Sequence, residues 1–334
     1  MDRDDDGSKA PGAEVGILLY PDCQLGSVHG LTELFATASR FARHHARAPL
    51  RVSHWRLRAD GAFQRVFDSH AEKDAATMPA VLIVPGSLDH PLTAEEAAPY
   101  ARWLLDHHAQ GAVLASNCAG SFALAAAGLL SGRPATTHWA FEEQFRGRFP
   151  EVELEIDRMV VDDGDIVTAG GMLAWTDLGL RIVERLLGPT VMIETSRFLL
   201  IEPGGREQRN YASFAPNMAH GDAPVLKVQH WLQARTGGHV SVHDMAGEAG
   251  LEERTFQRRF KAATGMTPLE YWQQLRIGKA RELLEFTREA IDRIAWRVGY
   301  EDAAAFRKLF HRITGLSPGE YRQRFAANAR GRGG

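Results

Sequence analysis

Two stretches, SVHDMAGEAGLEERTFQRRFKAATGMTPLEY (241–271) and AIDRIAWRVGYEDAAAFRKLFHRITGLSPGEY (290–321), repeat one pattern with an offset of 49 or 50 residues. The matched pairs are Ala246 and Ala295, Gly250 and Gly299, Phe256 and Phe306, Phe260 and Phe310, Gly265 and Gly315, Pro268 and Pro318, and Tyr271 and Tyr321. A repeat of this kind indicates a duplicated supersecondary unit. Each copy predicts a short amphipathic helix, a turn through glycine and a second helix, which is a helix-turn-helix.

The second helix of each copy has an apolar back and a basic front. Phe256 and Phe260 are four residues apart, so they share one face of a helix and are predicted to point inward. The residues predicted to face outward and contact DNA are Arg254, Thr255, Gln257, Arg258 and Lys261 in the first copy, and Arg307, Lys308 and His311 in the second. Such a face is suited to the major groove of DNA. The alternative is a pair of solvated helical hairpins, since basic helix faces are common.

Residues 223–326 resemble the DNA-binding domain of AraC-type transcriptional regulators. The motif that carries the resemblance occurs twice, as TGMTPLEY and TGLSPGEY, and the helix between the copies contains RIGKARELL (276–284). The resemblance implies that helices 253–262 and 302–312 enter successive major grooves. In the second helix, alanines 303–305 stand where relatives often have polar residues. Alanine cannot form bidentate hydrogen bonds with a base, so we expect the first copy to provide most of the sequence discrimination.

Charge is distributed unevenly along the 334 residues. The whole chain has a formal net charge of −3, but residues 225–334 contain 19 Lys and Arg against 12 Asp and Glu, a balance of +7. A basic C-terminal third is typical of a DNA-binding module. Two cysteines and no long apolar run favour a reduced, cytoplasmic protein that does not associate with a membrane. Residues 1–12 and 327–334 are predicted to be disordered tails.

The first half of the chain alternates apolar strands with amphipathic helices. Strands are predicted at 15–20, 51–58, 81–86 and 111–116, and helices at 28–43, 93–108 and 121–130. This alternation favours an α/β domain whose parallel sheet is covered on both faces. Strands around Asp163-Gly164 and a helix over 172–187 complete a domain at 13–190. Residues 191–222 are predicted to be a linker to the all-helical domain at 223–326.

The run LASNCAGSFALAAAGLL (114–130) places Cys118 between a predicted strand and a predicted helix. This is the arrangement of a nucleophile elbow, in which the side chain is exposed and the helix N-terminus favours the thiolate. With YPDCQLGSVHGLTELF (20–35), PGS (85–87) and TTHW (136–139), the domain resembles the ThiJ/PfpI superfamily. That resemblance implies a flavodoxin-like, class I glutamine-amidotransferase-like sandwich. Its combination with the C-terminal domain resembles the GlxA-type family of regulators.

Catalytic members of that superfamily use the elbow cysteine, a histidine and often a carboxylate on the helix after the first strand. Cys118 and His138 match the first two as vestigial catalytic candidates, whereas Ser27 occupies the position of the carboxylate. A binding pocket without turnover is therefore favoured, and its predicted residues are Ser27, Gly86, Ser87, Asn117, Cys118, Ala119, His138 and Trp139. Two alternatives stay open: residual hydrolase, hydratase or redox chemistry at Cys118, and a ligand-free dimerisation scaffold.

The sequence as a whole predicts a ligand-responsive transcriptional regulator rather than an enzyme. The expected partners are promoter DNA, a small metabolite and a second copy of the chain. The resemblance implies activation, hence contact with RNA polymerase, and an effector such as an amino acid or a quaternary amine. No motif indicates a cofactor, and the His44-His45 and His107-His108 pairs lack a second cluster at metal-ligand spacing, so no metal is expected.

Overall fold

The computed structural model describes residues 12–71, 78–87, 89–235 and 237–327. They form two structural units, the first ending at Gln208 and the second beginning at Arg209. The predicted tails at 1–12 and 327–334 lie almost wholly outside the described residues. The first unit extends beyond the expected domain end at residue 190, because Pro189–Leu199 is a helix that packs within that unit.

A seven-stranded sheet forms the centre of the first unit. The strands of the unit are β1 Glu14–Leu19, β2 Arg51–Leu57, β3 Phe63–Asp68, β4 Val81–Val84, β5 Val113–Asn117, β6 Pro134–Ala135, β7 Glu153–Leu154, β8 Val160–Asp162 and β9 Ile166–Ala169. The strand order in the large sheet is β3-β2-β1-β4-β5-β9-β8. The five central strands are parallel, and the edge strands β3 and β8 are antiparallel to their neighbours. β6 and β7 form a separate parallel pair.

Two groups of helices pack with this sheet. The helices of the first unit are α1 Leu25–His44, α2 Ala94–Ala109, α3 Ser121–Ala126, α4 Glu142–Arg148, α5 Trp175–Leu187 and α6 Pro189–Leu199. α1, α5 and α6 pack against one another, and α2 packs against α3. The capping box predicted at Thr93 and Glu96 begins α2. The mostly parallel α/β fold predicted for this part of the chain is confirmed.

Two predicted helices are shorter in the structure. The helix expected over 121–130 ends at Ala126, because Gly128 takes a left-handed conformation with φ +77° and turns the chain. The helix expected from residue 172 begins at Trp175, after a turn in which the Ala174 N–H donates to the Gly171 carbonyl at 3.0 Å.

The second unit is entirely helical in its regular structure. Its helices are α7 Ala223–Gln233, α8 Val242–Ala249, α9 Glu253–Thr264, α10 Pro268–Phe286, α11 Ile291–Arg297, α12 Ala303–Thr314 and α13 Pro318–Phe325. The turns of the two helix-turn-helix motifs, α8–α9 and α11–α12, contain Gly250 at φ +64° and Gly299 at φ +86°. Both motifs were predicted and are confirmed.

Each motif of the second unit has its own hydrophobic core. Phe256 and Phe260 of α9 are fully buried in one cluster with residues of α7, α8 and the start of α10. Phe306 and Phe310 of α12 are fully buried in the other, with residues from the remainder of α10, α11 and α13. Among the described helices, α10 alone contributes to both clusters, so it joins two separately packed halves.

Candidate functional sites

The elbow at the end of β5 is a sharp turn. Cys118 has φ +52°, a left-handed conformation that is unfavourable for a residue with a side chain, and a 3-10 turn at Cys118–Gly120 leads into α3. Gly120 is required there, because a Cβ at that position would lie 2.3 Å from the Val84 carbonyl oxygen of the neighbouring strand. The sequence prediction of a strand–turn–helix elbow is therefore confirmed in its backbone geometry.

The Cys118 side chain does not behave as expected from the elbow pattern. It is 1% exposed, and burial raises the pKa of its thiol to about 11, against the smaller lowering effect of the Ala119 N–H. The expectation of an exposed side chain with a favoured thiolate was wrong. Desolvation disfavours the charged form more strongly than the Ala119 N–H favours it. Cys118 is thus a neutral thiol at physiological pH.

His138 lies in the TTHW loop and caps the 3-10 turn at Trp139–Phe141. Its Nδ1 accepts a hydrogen bond from the Ala140 N–H at 3.1 Å, and burial lowers its pKa, so the ring is neutral. Among the described residues the structure gives no hydrogen bond between His138 and the Cys118 thiol. The link between this loop and the elbow is the Thr137 hydroxyl, which donates to the Cys118 carbonyl at 3.1 Å.

The loops after β1, β4 and β5 meet at one edge of the sheet. The strand order changes direction between β1 and β4, and ligands of such folds bind outside the carboxyl ends of the strands at this switch point. The Gln24 N–H donates to the Gly86 carbonyl at 2.7 Å, and the Gln24 carbonyl accepts from the Ser27 hydroxyl at 2.9 Å. A Cβ on Gly86 would lie 2.9 Å from the Cys118 Cβ. Ser27 and Gly86 therefore lie around the elbow, as predicted.

Asn117 and Ser87 complete this region. The Asn117 side chain is fully buried and donates to Gln24 Oε1 at 3.4 Å, whereas its own Oδ1 has no hydrogen-bond partner among the described residues. Ser87 forms an isolated bridge with Cys23. Ala119 is buried behind the elbow and Trp139 is half-buried. A buried carbonyl oxygen without a donor is costly, and Asn117 Oδ1 is such an oxygen beside the elbow.

The outer face of α9 is exposed and basic. Arg254, Gln257, Arg258 and Lys261 are exposed, while Thr255 is half-buried and its N–H donates to Glu252 at the start of the helix. The four exposed side chains stand opposite the buried pair Phe256 and Phe260. The arrangement is the one predicted for a helix that enters the major groove.

The outer face of α12 has fewer side chains available for contacts with DNA than the outer face of α9, because one of its basic residues is in an ion pair. Ala304, Ala305, Arg307, Lys308 and His311 are exposed, and the Arg307 Nη2 lies 2.5 Å from Asp292 Oδ1 of α11. Arg307 would have to leave this ion pair, or share it, to contact a base or a phosphate. The predicted asymmetry between the two copies is consistent with this pairing.

Comparisons with known proteins divide the chain in the same way. The model of the DJ-1/PfpI family matches residues 55–185, and the model named Helix-turn-helix domain matches residues 245–324. The chain combines a DJ-1/PfpI domain with an AraC-type helix-turn-helix domain.

Several curated relatives are transcriptional regulators. The chain is 27% identical to HTH-type transcriptional regulator CdhR of Pseudomonas aeruginosa over 228 residues, which cover 68% of this chain and 64% of that protein. It is 29% identical to HTH-type transcriptional regulator GlxA of Rhizobium meliloti over 209 residues, covering 61% and 63%. HTH-type transcriptional activator RhaS of Enterobacter sp. strain 638 is 37% identical over 112 residues, covering 34% and 40%. The matches thus span less than two thirds of each relative's own length.

Two buried residues of the first structural unit were missed from the sequence as site residues. The Tyr20 hydroxyl donates to the Pro85 carbonyl at 2.7 Å, and burial, followed by the nearby Cys23 and Cys118 thiols, raises the pKa of Tyr20. Gln208 is 1% exposed although it lies in a polar run predicted to be linker. Tyr20 belongs to a predicted strand and to the motif at 20–35, but no local signal predicts its contact with Pro85 or the burial of Gln208, because both depend on distant segments.

Metal ions and membranes are not indicated by the described part of the chain. No group of three or more His, Cys, Asp or Glu residues lies there in an arrangement that could hold a metal ion. None of the described helices is both long enough and apolar enough to cross a membrane.

Proposed function

We propose that this chain is a sequence-specific, cytoplasmic transcriptional regulator whose DJ-1/PfpI domain binds a small metabolite. The observation that carries the proposal is the pair of exposed basic faces on α9 and α12. Each of these helices packs in its own hydrophobic core, and α10 connects the two cores. Duplicated helix-turn-helix units of this kind read major grooves. Promoter DNA, a second copy of the chain and, for an activator, RNA polymerase are the proposed partners.

Binding rather than turnover is the proposed role of the DJ-1/PfpI domain. A nucleophilic cysteine requires a lowered pKa or an adjacent base, whereas the pKa of Cys118 is raised and His138 is engaged by the Ala140 N–H. Ser27, at the position of the missing carboxylate, bonds to a backbone carbonyl. These features support a site that holds a molecule without activating a thiol.

The proposed effector site lies at the carboxyl ends of β1, β4 and β5. The unpaired Asn117 Oδ1 requires a donor, so an amino acid or another amine with an N–H group suits the site better than a quaternary amine. A separate cleft of about 640 Å³ lies in the same domain, lined by residues that include Met159, Leu180 and Met192. This cleft is the alternative location for the metabolite.

Two experiments on the full chain test the proposal. The first is selection of duplexes from a random-sequence DNA pool, which should yield a shared motif bound in preference to unselected DNA. The second is a thermal-shift screen against amino acids, betaines and polyamines. A ligand at a hundred times its dissociation constant adds about 2.7 kcal/mol of stability.

Matched variants separate the two locations. A stabilising compound should lose its effect in Cys118→Trp and keep it in Leu180→Trp, because only the first fills the elbow region. The reverse pattern would place the effector in the cleft. Failure of the selection to enrich any motif would refute the regulator, and conversion of the compound by the wild type but not by Cys118→Ser would support the enzyme instead.

A further inference from the structure

The Gln208 side chain is buried in a slot beside the TTHW loop. Its Nε2 lies 3.0 Å from Thr136 Oγ1, and within 2.8 to 3.0 Å of the carbonyl oxygens of Thr137, Ile156 and Arg158. Its Oε1 accepts from the Trp139 N–H at 3.0 Å. A primary amide has two N–H donors and a carbonyl acceptor, so both donors and the acceptor of Gln208 have partners here.

A glycine at position 170 also leaves room for the Gln208 side chain in this slot. A Cβ on Gly170, just after β9, would lie 2.0 Å from Gln208 Nε2. The next glycine, Gly171, has room, since its nearest neighbours are 3.9 Å away. The backbone of Gln208 is also held, because its N–H donates to the Asp157 carbonyl at 2.8 Å. The absence of a side chain at Gly170 therefore leaves room for the Gln208 amide.

This contact joins the proposed effector site to the end of the domain. Gln208 bonds to the residues on both sides of His138, and Thr137 in turn donates to the Cys118 carbonyl. A molecule that displaces the loop must preserve these bonds or release the amide. Releasing it removes the amide donor from three carbonyl oxygens; the Thr136 hydroxyl still reaches those of Thr137 and Arg158, whereas that of Ile156 has no other donor among the described residues. The cost of that buried, unpaired carbonyl separates the seated arrangement from the released one.

The DNA-binding unit begins at the next residue, Arg209, and its first two residues are held by hydrogen bonds to α10 and α12. The Arg209 carbonyl accepts from Arg281 Nη2 at 2.9 Å. Asn210 is 3% exposed, and its Nδ2 donates to the Thr314 carbonyl of α12 at 2.8 Å. The buried amide side chains of Gln208 and Asn210 thus hold the end of the first unit and the start of the second, each by hydrogen bonds within its own unit.

We infer that Gln208 is the positioning residue that couples occupancy of the effector site to the DNA-binding unit. The inference rests on the proposed function and assigns it a specific route: the TTHW loop, the Gln208 amide, and the chain from Arg209 to Asn210. Coupling of this kind is reciprocal, so DNA binding must alter the TTHW loop as the effector alters DNA binding. Reciprocity allows the coupling to be measured before the effector is identified.

The test uses the full chain and a duplex selected from a random-sequence pool by the wild type. Hydrogen exchange of the amides at 136–139 is measured with and without saturating duplex. In the wild type the duplex should change exchange of the Trp139 amide by about fivefold or more, the lower end of typical allosteric coupling. Gln208→Met, which has a similar shape but no amide, should abolish that change.

Gly170→Ala and Gly171→Ala provide a matched pair. Gly170→Ala displaces the Gln208 amide without altering its chemistry, so it should also abolish the duplex-induced change. Gly171→Ala should retain it. A purely structural role for Gln208 would lower the melting temperature of the variants but leave the duplex-induced change intact.

Three results would overturn the inference. They are the absence of a duplex-induced change in the wild type, its persistence in Gln208→Met, and its equal loss in both glycine variants. If Gly170→Ala does not fold, the comparison of Gln208→Met with Gly171→Ala decides the question. Failure to select any duplex would instead refute the proposed regulator, and the coupling with it.

Discussion

The raised pKa of Cys118 predicts how slowly its thiol reacts with an alkylating agent. Alkylation by iodoacetamide requires the thiolate. With a pKa of about 11 in place of the ordinary 9.0, the thiolate fraction at pH 8 falls about 100-fold, from roughly 9% to roughly 0.1%. Each pKa unit corresponds to 1.36 kcal/mol, so the two units amount to about 2.7 kcal/mol against ionisation. Burial of the sulfur slows the reaction further.

The assay follows iodoacetamide labelling of each cysteine by mass spectrometry between pH 7 and pH 10. Gln110→Cys supplies an exposed reference thiol in the same chain, since Gln110 lies on the surface at the end of α2. Cys118 should react at least about 100 times more slowly than the reference at pH 8. Its rate should rise about tenfold per pH unit over the whole range, because the neutral form predominates until pH 11.

An activated elbow would give a different profile. A Cys118 rate that equals the reference rate at pH 7, or that reaches a plateau between pH 7 and pH 8, would mean that the thiolate is stabilised. The binding-only role of the elbow would then be refuted, and hydrolase or hydratase chemistry would become the leading hypothesis for this domain.

Three further predictions concern DNA. Arg258→Ala should weaken binding to a selected duplex by about 1–3 kcal/mol, measured by fluorescence anisotropy, and should reduce the preference for one base of the site. Equal weakening on every sequence would mean that Arg258 contacts only phosphate. Asp292→Ala, which releases Arg307 from an exposed ion pair, should tighten binding by up to about fivefold; weaker binding would show that Asp292 holds Arg307 in its reading position. Affinity should fall steeply with salt, and a flat response would exclude phosphate contacts as its main source.

Local signals in the sequence were sufficient for most of the fold. Glycines at fixed positions in two copies predicted both turns of the DNA-binding unit, and the structure gives Gly250 and Gly299 positive φ angles. The Thr93–Glu96 box predicted the start of α2 correctly, because capping depends on residues three apart. Apolar runs identified the central strands β1, β4 and β5, since strands buried on both faces lack alternation.

Local sequence signals could not predict the environment of the Cys118 side chain. Its backbone turn follows from small residues next to a strand, but burial of the Cys118 thiol depends on chain segments some thirty to a hundred residues away, including Gly86 and Tyr20. Gln208 stands in a run of glycine and polar residues, a composition typical of linkers. Its burial is set by Gly170 and the TTHW loop, which no local pattern connects with it.

The single helix shared by the two cores limits how this DNA-binding unit can change. α10 has 19 residues, which at 1.5 Å per residue span about 28 Å. Substitutions along its surface leave the distance and angle between α9 and α12 unaltered. Deleting or inserting one residue rotates everything after it by about 100° and turns the second reading face away from the groove. The unit can therefore acquire a new recognition sequence by substitution, whereas the spacing between its two half-sites is fixed by the length of one helix.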